Sequence, residues 1–402
     1  MVGMAEAPWL TIVGIGEEGI AGLSAPARLA LAEAEIVTGA TRHLALVGDL
    51  TAEVEPWPVP FDQGIARLLT HRGRHVVMLV SGDPFWFGAG TSITRHLPTD
   101  EWIVYPVSST FSLAAARLGW PLEDTPCLGL HAAPFTRLRP HIAVDRKALV
   151  LVRDGDAVAV LARYLCALGF GGSRLHILEA LGGPRERIRQ AIAADLDFAD
   201  IAHPVAIGMI FAGAGNVLPQ ATGLPDAWFE HDGQITKSPI RALTLSALAP
   251  KPGEKLWDIG TGSGSISIEW LLSHPSTHAI AFEADPIRAG RARTNAAALG
   301  VDRLTVVEGR APAILQGHAR PDAVFIGGGL SETLLESVFA TLSTGTRLVA
   351  NAVTLESETR LTRWQGLKGG TLLRIELSDA VPIGSRRGWR ARYPVVQWSV
   401  CW

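Results

Sequence analysis

The stretch LWDIGTGSGSISIEW, Leu256–Trp270, decides how the second half of this 402-residue chain is read. An apolar run carries Asp258 near its end, three glycines follow at alternate positions (Gly260, Gly262, Gly264), and a helical pattern opens behind them. Strand, tight turn and helix in that order are what cradle a nucleotide, because glycines let backbone approach a ligand at the start of a helix.

The spacing narrows the choice of nucleotide. A dinucleotide loop reads G-x-G-x-x-G, whereas here the pattern is G-x-G-x-G, with Ser265 where the last glycine of that motif falls. Asp258 is an anion two residues before the first glycine, where a pyrophosphate would have to approach; it suits the charged amino group of S-adenosylmethionine better. Glu283, about 20 residues beyond the loop at the end of the next strand, is placed to accept ribose hydroxyls. Alternatively, it caps the helix that begins at Pro286. One strand later, Arg310, Ala311 and Pro312 fall where the adenine edge belongs.

Length predicts two domains, each large enough for its own α/β core. Apolar runs such as VVMLV at Val76–Val80 are far too short to span a bilayer. The N-terminus has no basic region before its apolar stretch, so no signal peptide is read and a cytoplasmic location is expected. Cys127, Cys166 and Cys401 are scattered, and the histidines His131, His141, His203 and His231 lack ligand spacing, which argues against disulfides and against a metal site. The net charge of −3 offers nucleic acid no overall field, although all but five of the 36 basic residues are Arg and can form local anion sites.

The first half opens with a strand, LTIVG, and then a helix N-capped by Ser24, with Leu23, Ala27, Ala30, Leu31 and Ala34 on one face. Apolar strands VVMLV, ALVLV, LHILEAL and VAIGMIF alternate with helical segments, which predicts a mostly parallel sheet. Residues 213–233, rich in Gly, Pro and Asn, are read as a linker between a domain over 1–212 and one over 234–402. Beyond it a helix near Ile240–Leu248 and five strands follow, and the last two strands, TLLRIEL and YPVVQWSV, predict an antiparallel ending.

The span from Gln234, with EGRAP and ARYPVVQW, resembles the cobalamin-pathway methyltransferases that methylate carbon 15 of a precorrin and decarboxylate its carbon 12 acetate. That resemblance implies a Rossmann-like class I methyltransferase fold with a seven-stranded, mostly parallel sheet. It assigns S-adenosylmethionine contacts to Thr236, Gly260, Thr261, Gly262, Ser263, Gly264, Glu283 and Ala311, to which Asp258 and Arg310 are added from their places in the pattern above. Arg386, Arg387, Arg390 and Arg392, with Arg241 beside Thr236, are candidates to hold the carboxylates of such a substrate.

In the first half, SGDPFWFGAG (Ser81–Gly90), VGIGEEG, YPVSSTFSLAAARLG and ILEALGGPRERI all sit at strand ends. Together they resemble the tetrapyrrole methylase family, which has a different fold, the class III methyltransferase fold, and specifically its carbon 5 methylating members. The resemblance puts Gly82, Asp83, Gly88, Ser109 and Thr110 on S-adenosylmethionine and the Gly14–Gly16 turn on the tetrapyrrole. Glu17 and Glu18 stand where many relatives have Pro-Gly-Asp.

Fused in this order, the halves resemble the bifunctional precorrin-6B C5,15-methyltransferases (decarboxylating), which implies two methylations and one decarboxylation giving precorrin-8. It implies one S-adenosylmethionine per domain, a small-molecule tetrapyrrole as partner, neither nucleic acid nor membrane, and a homo-oligomer, dimer or tetramer. A nicotinamide oxidoreductase and a tetrapyrrole-binding protein with one inactive half are the competing readings. A nucleic-acid methyltransferase is disfavoured by the charge and by the glycines of DAVFIGGG (Asp322–Gly329), where an amino-methylating enzyme carries a polar residue, Pro-Pro and an aromatic.

Overall fold

The computed structural model describes residues 8–402. They form two compact units, one up to Val217 and one from Leu218 onward, with the short segment Thr136–Pro140 belonging to the second.

In the first unit, β1 (Leu10–Ile15), β2 (Ile36–Gly39), β3 (Glu53–Pro56), β4 (Val76–Ser81) and β5 (Trp102–Tyr105) form a sheet in the order β3-β2-β4-β1-β5. Every pairing in it is parallel. Nearly continuous apolar sequence is what a strand covered on both faces requires. Alternate residues go to opposite sides. Leu10 and Ile12 join Val76, Met78 and Val80 in one core, whereas Val13 and Ile15 join Val77, Leu79, Leu23 and the helix residues Ala27 and Leu31 in the other. Ser24 caps that helix, Ala25–Glu33, by accepting from the Ala27 N–H.

The same unit carries a second sheet, made of β6 (Cys127–Gly129), β7 (Lys147–Leu151), β8 (Arg174–Glu179), β9 (Arg187–Ile192) and β10 (Val205–Ile210) in the order β6-β7-β10-β8-β9. Here the expectation of a mostly parallel sheet needs correction, because only β6 and β7 run parallel and the other three pairings are antiparallel. The turn GGPRE joins β8 to β9 with no helix between them, and such a short connection imposes antiparallel pairing. Its half-exposed strand β9, RIRQAI, lacks the apolar run that makes a buried strand legible.

In the second unit, β11 (Lys255–Ile259), β12 (His278–Glu283), β13 (Thr305–Glu308), β14 (Ala323–Ile326), β15 (Arg347–Ala352), β16 (Thr371–Ile375) and the last strand build a seven-stranded sheet. A hairpin of β17 (Ser378–Ile383) and β18 (Arg386–Ala391), which the sequence reading missed, is inserted before the last strand β19 (Val395–Cys401). The order is β13-β12-β11-β14-β15-β19-β16, with β19 antiparallel to both its neighbours, so the expected sheet and antiparallel ending are both present. Leu256, Ala281, Phe325 and Val349 face one core, and Trp257, Ile259, Phe282, Val324 and Trp398 face the other.

The units divide inside the stretch read as a linker, and most of that stretch is part of the second unit. Leu218, Leu224 and Phe229 are buried in its core beside Leu245 and Leu248. Among the described residues, no helix is long and apolar enough to cross a membrane.

Candidate active site

In the seven-stranded sheet the chain moves one way from β11 to β12 and β13, then returns to the other side of β11 as β14. A crevice opens at the carboxyl ends of strands where such an order reverses. A cavity of about 970 Å³ lies there, walled by Gly260, Thr261 and Gly262 after β11, Glu283 at the end of β12, Arg310 and Ala311 after β13, and Gly327–Gly329 after β14. Thr236, Asn351 and Tyr393 close other sides.

The three alternate glycines are needed for three different reasons. Gly260 has φ +72°, and a Cβ there would lie 2.7 Å from Gly328 Cα, so the loops after β11 and β14 can meet only without it. Gly262, at φ +59°, would direct a Cβ into open space, with only the Gln234 carbonyl oxygen near at 3.8 Å. Gly264, at φ +80°, packs on Ala292 and precedes the helix Ser265–Ser273. Accordingly, Gly260, Thr261 and Gly262 face the cavity, whereas Gly264 and the buried Ser263, whose carbonyl accepts from Asn295 Nδ2 at 2.9 Å, shape the loop from behind.

Asp258 corrects the sequence reading. Its side chain is fully buried and turned into the loop, where Oδ2 accepts from Thr261 Oγ1 (2.6 Å), Ser267 Oγ (2.6 Å) and the Ser267 N–H (3.2 Å). Burial pushes its pKa up to about 6, with the Glu283 charge adding to the rise and the Ser267 and Thr261 hydrogen bonds opposing it. It braces the glycine loop and does not stand on the cavity wall.

Glu283 stands where the sequence puts it. Oε2 accepts from the Gly262 N–H at 2.8 Å and Oε1 from the Asp285 N–H at 3.0 Å, which aims the carboxylate along the rim of the cavity. The alternative role as a helix cap belongs to Asp285, whose carboxylate accepts from Ile287 and Arg288 at the start of Pro286–Ala298.

Arg241 is also reassigned. Its guanidinium is fully buried and donates to Glu269 Oε1 at 2.5 Å, to the Thr236 and Leu224 carbonyls, and to Asp226 Oδ1 at 3.3 Å. With its donors so engaged it positions Thr236 and leaves nothing for a ligand. Arg386 and Arg387 lie exposed on β18, outside the cavity wall. The cations on the wall are Lys237, Arg288, Arg310 and Arg392. Arg392 is held by a bidentate pair with Asp379 (2.6 Å twice), which lowers the Asp379 pKa, and Lys237 sits 3.5 Å from Asp226. Arg310 has no hydrogen-bond or ion-pair partner among the described residues. The sequence signal for Arg392 and Tyr393 was the ARYP motif, but Lys237 and Asn351 carried none.

The first unit has its own convergence of loops. β4, β1 and β5 are adjacent, and a Cβ on Gly14 would collide with the Gly82 carbonyl and reach 3.0 Å from the Val107 nitrogen. Gly82 has φ +55°, and its missing Cβ would lie 3.4 Å from Ser109 Cα. Asp83 Oδ1 accepts from the Phe85 N–H at 2.9 Å, Gly88 packs against the Pro84 carbonyl, and Ser109 caps the helix Thr110–Leu118 through the Ser112 N–H at 3.0 Å. Gly14, Gly82, Asp83, Ser109 and Thr110 thus gather at one sheet edge, with the turn after β8 approaching so closely that a Cβ on Gly183 would meet Glu17. Gly16 lies beside the Glu18 carboxylate.

Comparison with known proteins accounts for both halves. Residues 9–197 match the family model for Tetrapyrrole (Corrin/Porphyrin) Methylases, and residues 227–402 match the Precorrin methyltransferase domain. A Sinorhizobium protein named precorrin-6Y C(5,15)-methyltransferase [decarboxylating] is 48% identical over 98% of this chain and 96% of its own length. A Mycobacterium tuberculosis protein of the same name is 41% identical over 97% of this chain and 99% of its own. The crystal structure of the C-terminal domain of precorrin-6Y C5,15-methyltransferase from Rhodobacter capsulatus is 51% identical over 45% of this chain and 98% of that one, with a TM-score of 0.44. Matched from end to end by relatives of both halves, the chain belongs to the decarboxylating precorrin-6Y C(5,15)-methyltransferase family.

Proposed function

We propose that the two units divide the family's chemistry, the first methylating carbon 5 of the precorrin and the second methylating carbon 15 and releasing the carbon 12 acetate carboxyl, with one S-adenosylmethionine bound to each. As a member of its family the chain is a decarboxylating C-methyltransferase of precorrin. The observation that carries the division is the presence of two separate loop convergences, each at the carboxyl edge of a different sheet.

The cavity of the second unit suits the methyl donor. Gly262 presents bare backbone, Glu283 offers a carboxylate to ribose hydroxyls, Arg310 and Ala311 flank the adenine, and Thr236 closes the wall. In the first unit the Gly82–Asp83 turn, Gly88, Ser109 and Thr110 take the same part, and Gly14 and Gly16 face the tetrapyrrole. S-adenosylmethionine supplies an electrophilic methyl group, so the protein's work is to align the acceptor carbon and exclude water. Lys237, Arg310 and Arg392 on the wall suit the substrate's peripheral carboxylates, with Asp379 fixing the direction of Arg392. Methylation at carbon 15 leaves an iminium-like system conjugated to the carbon 12 acetate, and the ring itself accepts the electrons as carbon dioxide departs. As the resemblance of both halves implies, the reading extends to a cytoplasmic dimer or tetramer without nucleic-acid or membrane partners, and the net charge of −3 offers nucleic acid no overall field.

The test is mass spectrometry of precorrin-6B after incubation with S-adenosylmethionine and the full chain. The wild type is expected to add two methyl groups and lose one carbon dioxide. Asp83→Ala should add one methyl and still lose carbon dioxide, whereas Gly262→Val should add one methyl and keep the carboxyl. The reverse pattern would overturn the division of labour.

A further inference from the structure

At the rim of the first unit, Ser81 ends β4 and immediately precedes the Gly82–Asp83 turn, with its side chain exposed. Its Oγ lies 2.8 Å from His43 Nε2 and 3.0 Å from Arg42 Nη2, and Arg42 Nη2 lies 2.9 Å from His43 Nε2. A guanidinium only donates, so the His43 Nε2 beside it is the lone-pair side of a neutral ring, and the Ser81 hydroxyl lies within reach to share that lone pair as a second donor. Ser81 Oγ then accepts from Arg42 and keeps one acceptor site on its exposed side. His43 is 8% exposed, and burial, reinforced by the Arg42 charge, lowers its pKa to about 4. Arg42 is itself held by the buried Glu17, which also takes Arg185 at 2.9 Å. The result is a hydroxyl backed by a neutral imidazole, beside the turn assigned to the methyl donor, and the donor chemistry makes no use of it.

Methylating a ring methine gives such a group a proton to accept. When the methine carbon bonds to the incoming methyl, it carries both CH₃ and H and the ring becomes cationic. To restore conjugation the C–H bond must break with its electron pair left in the ring. We propose that Ser81 Oγ accepts that proton and that His43 positions Ser81 and takes the proton relayed from it; the inference rests on the first unit being the carbon 5 methylating unit. The C–H proton passes to Ser81 Oγ while the Ser81 proton moves to His43 Nε2, and the imidazolium returns it to solvent. The donor leaves as a neutral thioether, so each methyl gained releases one proton and no oxidant or reductant is needed. A carbon acid flanked by an iminium system is acidic enough for a weak base.

The experiment uses the full chain and precorrin-6B carrying deuterium at carbon 5. Ser81→Ala, at an exposed position, is expected to lower kcat for carbon 5 methylation by about 10²- to 10³-fold with little change in KM, in the range for general acid–base catalysis. It should also raise the deuterium isotope effect and leave carbon 15 methylation and binding of two S-adenosylmethionine molecules intact. Ser81→Thr, which keeps the hydroxyl, should recover most of the rate. In the ligand-free protein, the ¹⁵N resonance of His43 Nε2 should report an unprotonated acceptor and shift in Ser81→Ala. A near wild-type carbon 5 rate in Ser81→Ala without an isotope effect, while Asp83→Ala abolishes that methylation, would overturn the relay alone. Carbon 5 methylation that survives Asp83→Ala would overturn the assignment of the unit and the relay with it.

Discussion

Gly260 and Gly262 differ by two positions and by what a side chain would cost. Gly260→Ala adds a Cβ against Gly328 backbone and should lower stability and abolish donor binding in the second unit together. Gly262→Ala meets nothing in the free protein, so it should fold with only the left-handed penalty of about 1–2 kcal/mol, yet weaken S-adenosylmethionine binding at least tenfold by calorimetry. Asp258 gives a pH signature. An acid whose folded pKa of about 6 exceeds its unfolded value near 3.8 adds nothing below the lower value. Between the two values the folded state binds more protons, so stability falls as pH rises, by about 3 kcal/mol in all. Denaturant titrations from pH 4 to 7 should show that decline in the wild type and lose it in Asp258→Asn. The alternate glycines and the downstream acid were legible in the sequence because backbone freedom and charge order are linear properties. Which way Asp258 turns was not, since that depends on Thr261 and Ser267 competing for its oxygen.

Between single residues and whole units, the segment before the helix Ser238–Leu248 shows what composition conceals. Its Gly and Pro content reads as a connector, yet the N–H groups of Gly223 and Leu224 donate to Glu269 (2.6 and 3.0 Å), and Ser238 Oγ donates to the Gly223 carbonyl at 2.7 Å. Glu269 also neutralises Arg241, so one buried carboxylate ties this segment to two helices. Glu269→Ala leaves a buried guanidinium with only the more distant Asp226 carboxylate and should cost about 3 kcal/mol in chemical denaturation. A fragment beginning at residue 213 should fold cooperatively, whereas one beginning at 234 loses Leu218, Leu224 and Phe229 from its core and should melt well below it by calorimetry. Apolar strands such as β4 and β14 were legible because both of their faces are covered. The hairpin β17–β18 and strand β9 were not, since their exposed, Arg-bearing faces follow no apolar period.

At the scale of the molecule, two sheets with their own loop clusters should give two S-adenosylmethionine equivalents per chain in a calorimetric titration, and one in Asp83→Ala. The presence of two α/β halves was visible from the restart of the strand–helix rhythm. The mixed sheet within the first was hidden, because strand direction follows from connection length. The insertion of β19 between β15 and β16 has a consequence for biosynthesis. On the ribosome the first unit is made early and can fold while the rest emerges, as domains generally do. The second cannot, since β16 has no neighbour until β19 is synthesised, and Arg392, Tyr393 and Val395 of the cavity wall are added just before or within that last strand. Translation that stops before β19 therefore releases a chain whose first unit is finished and whose seven-stranded sheet was never closed.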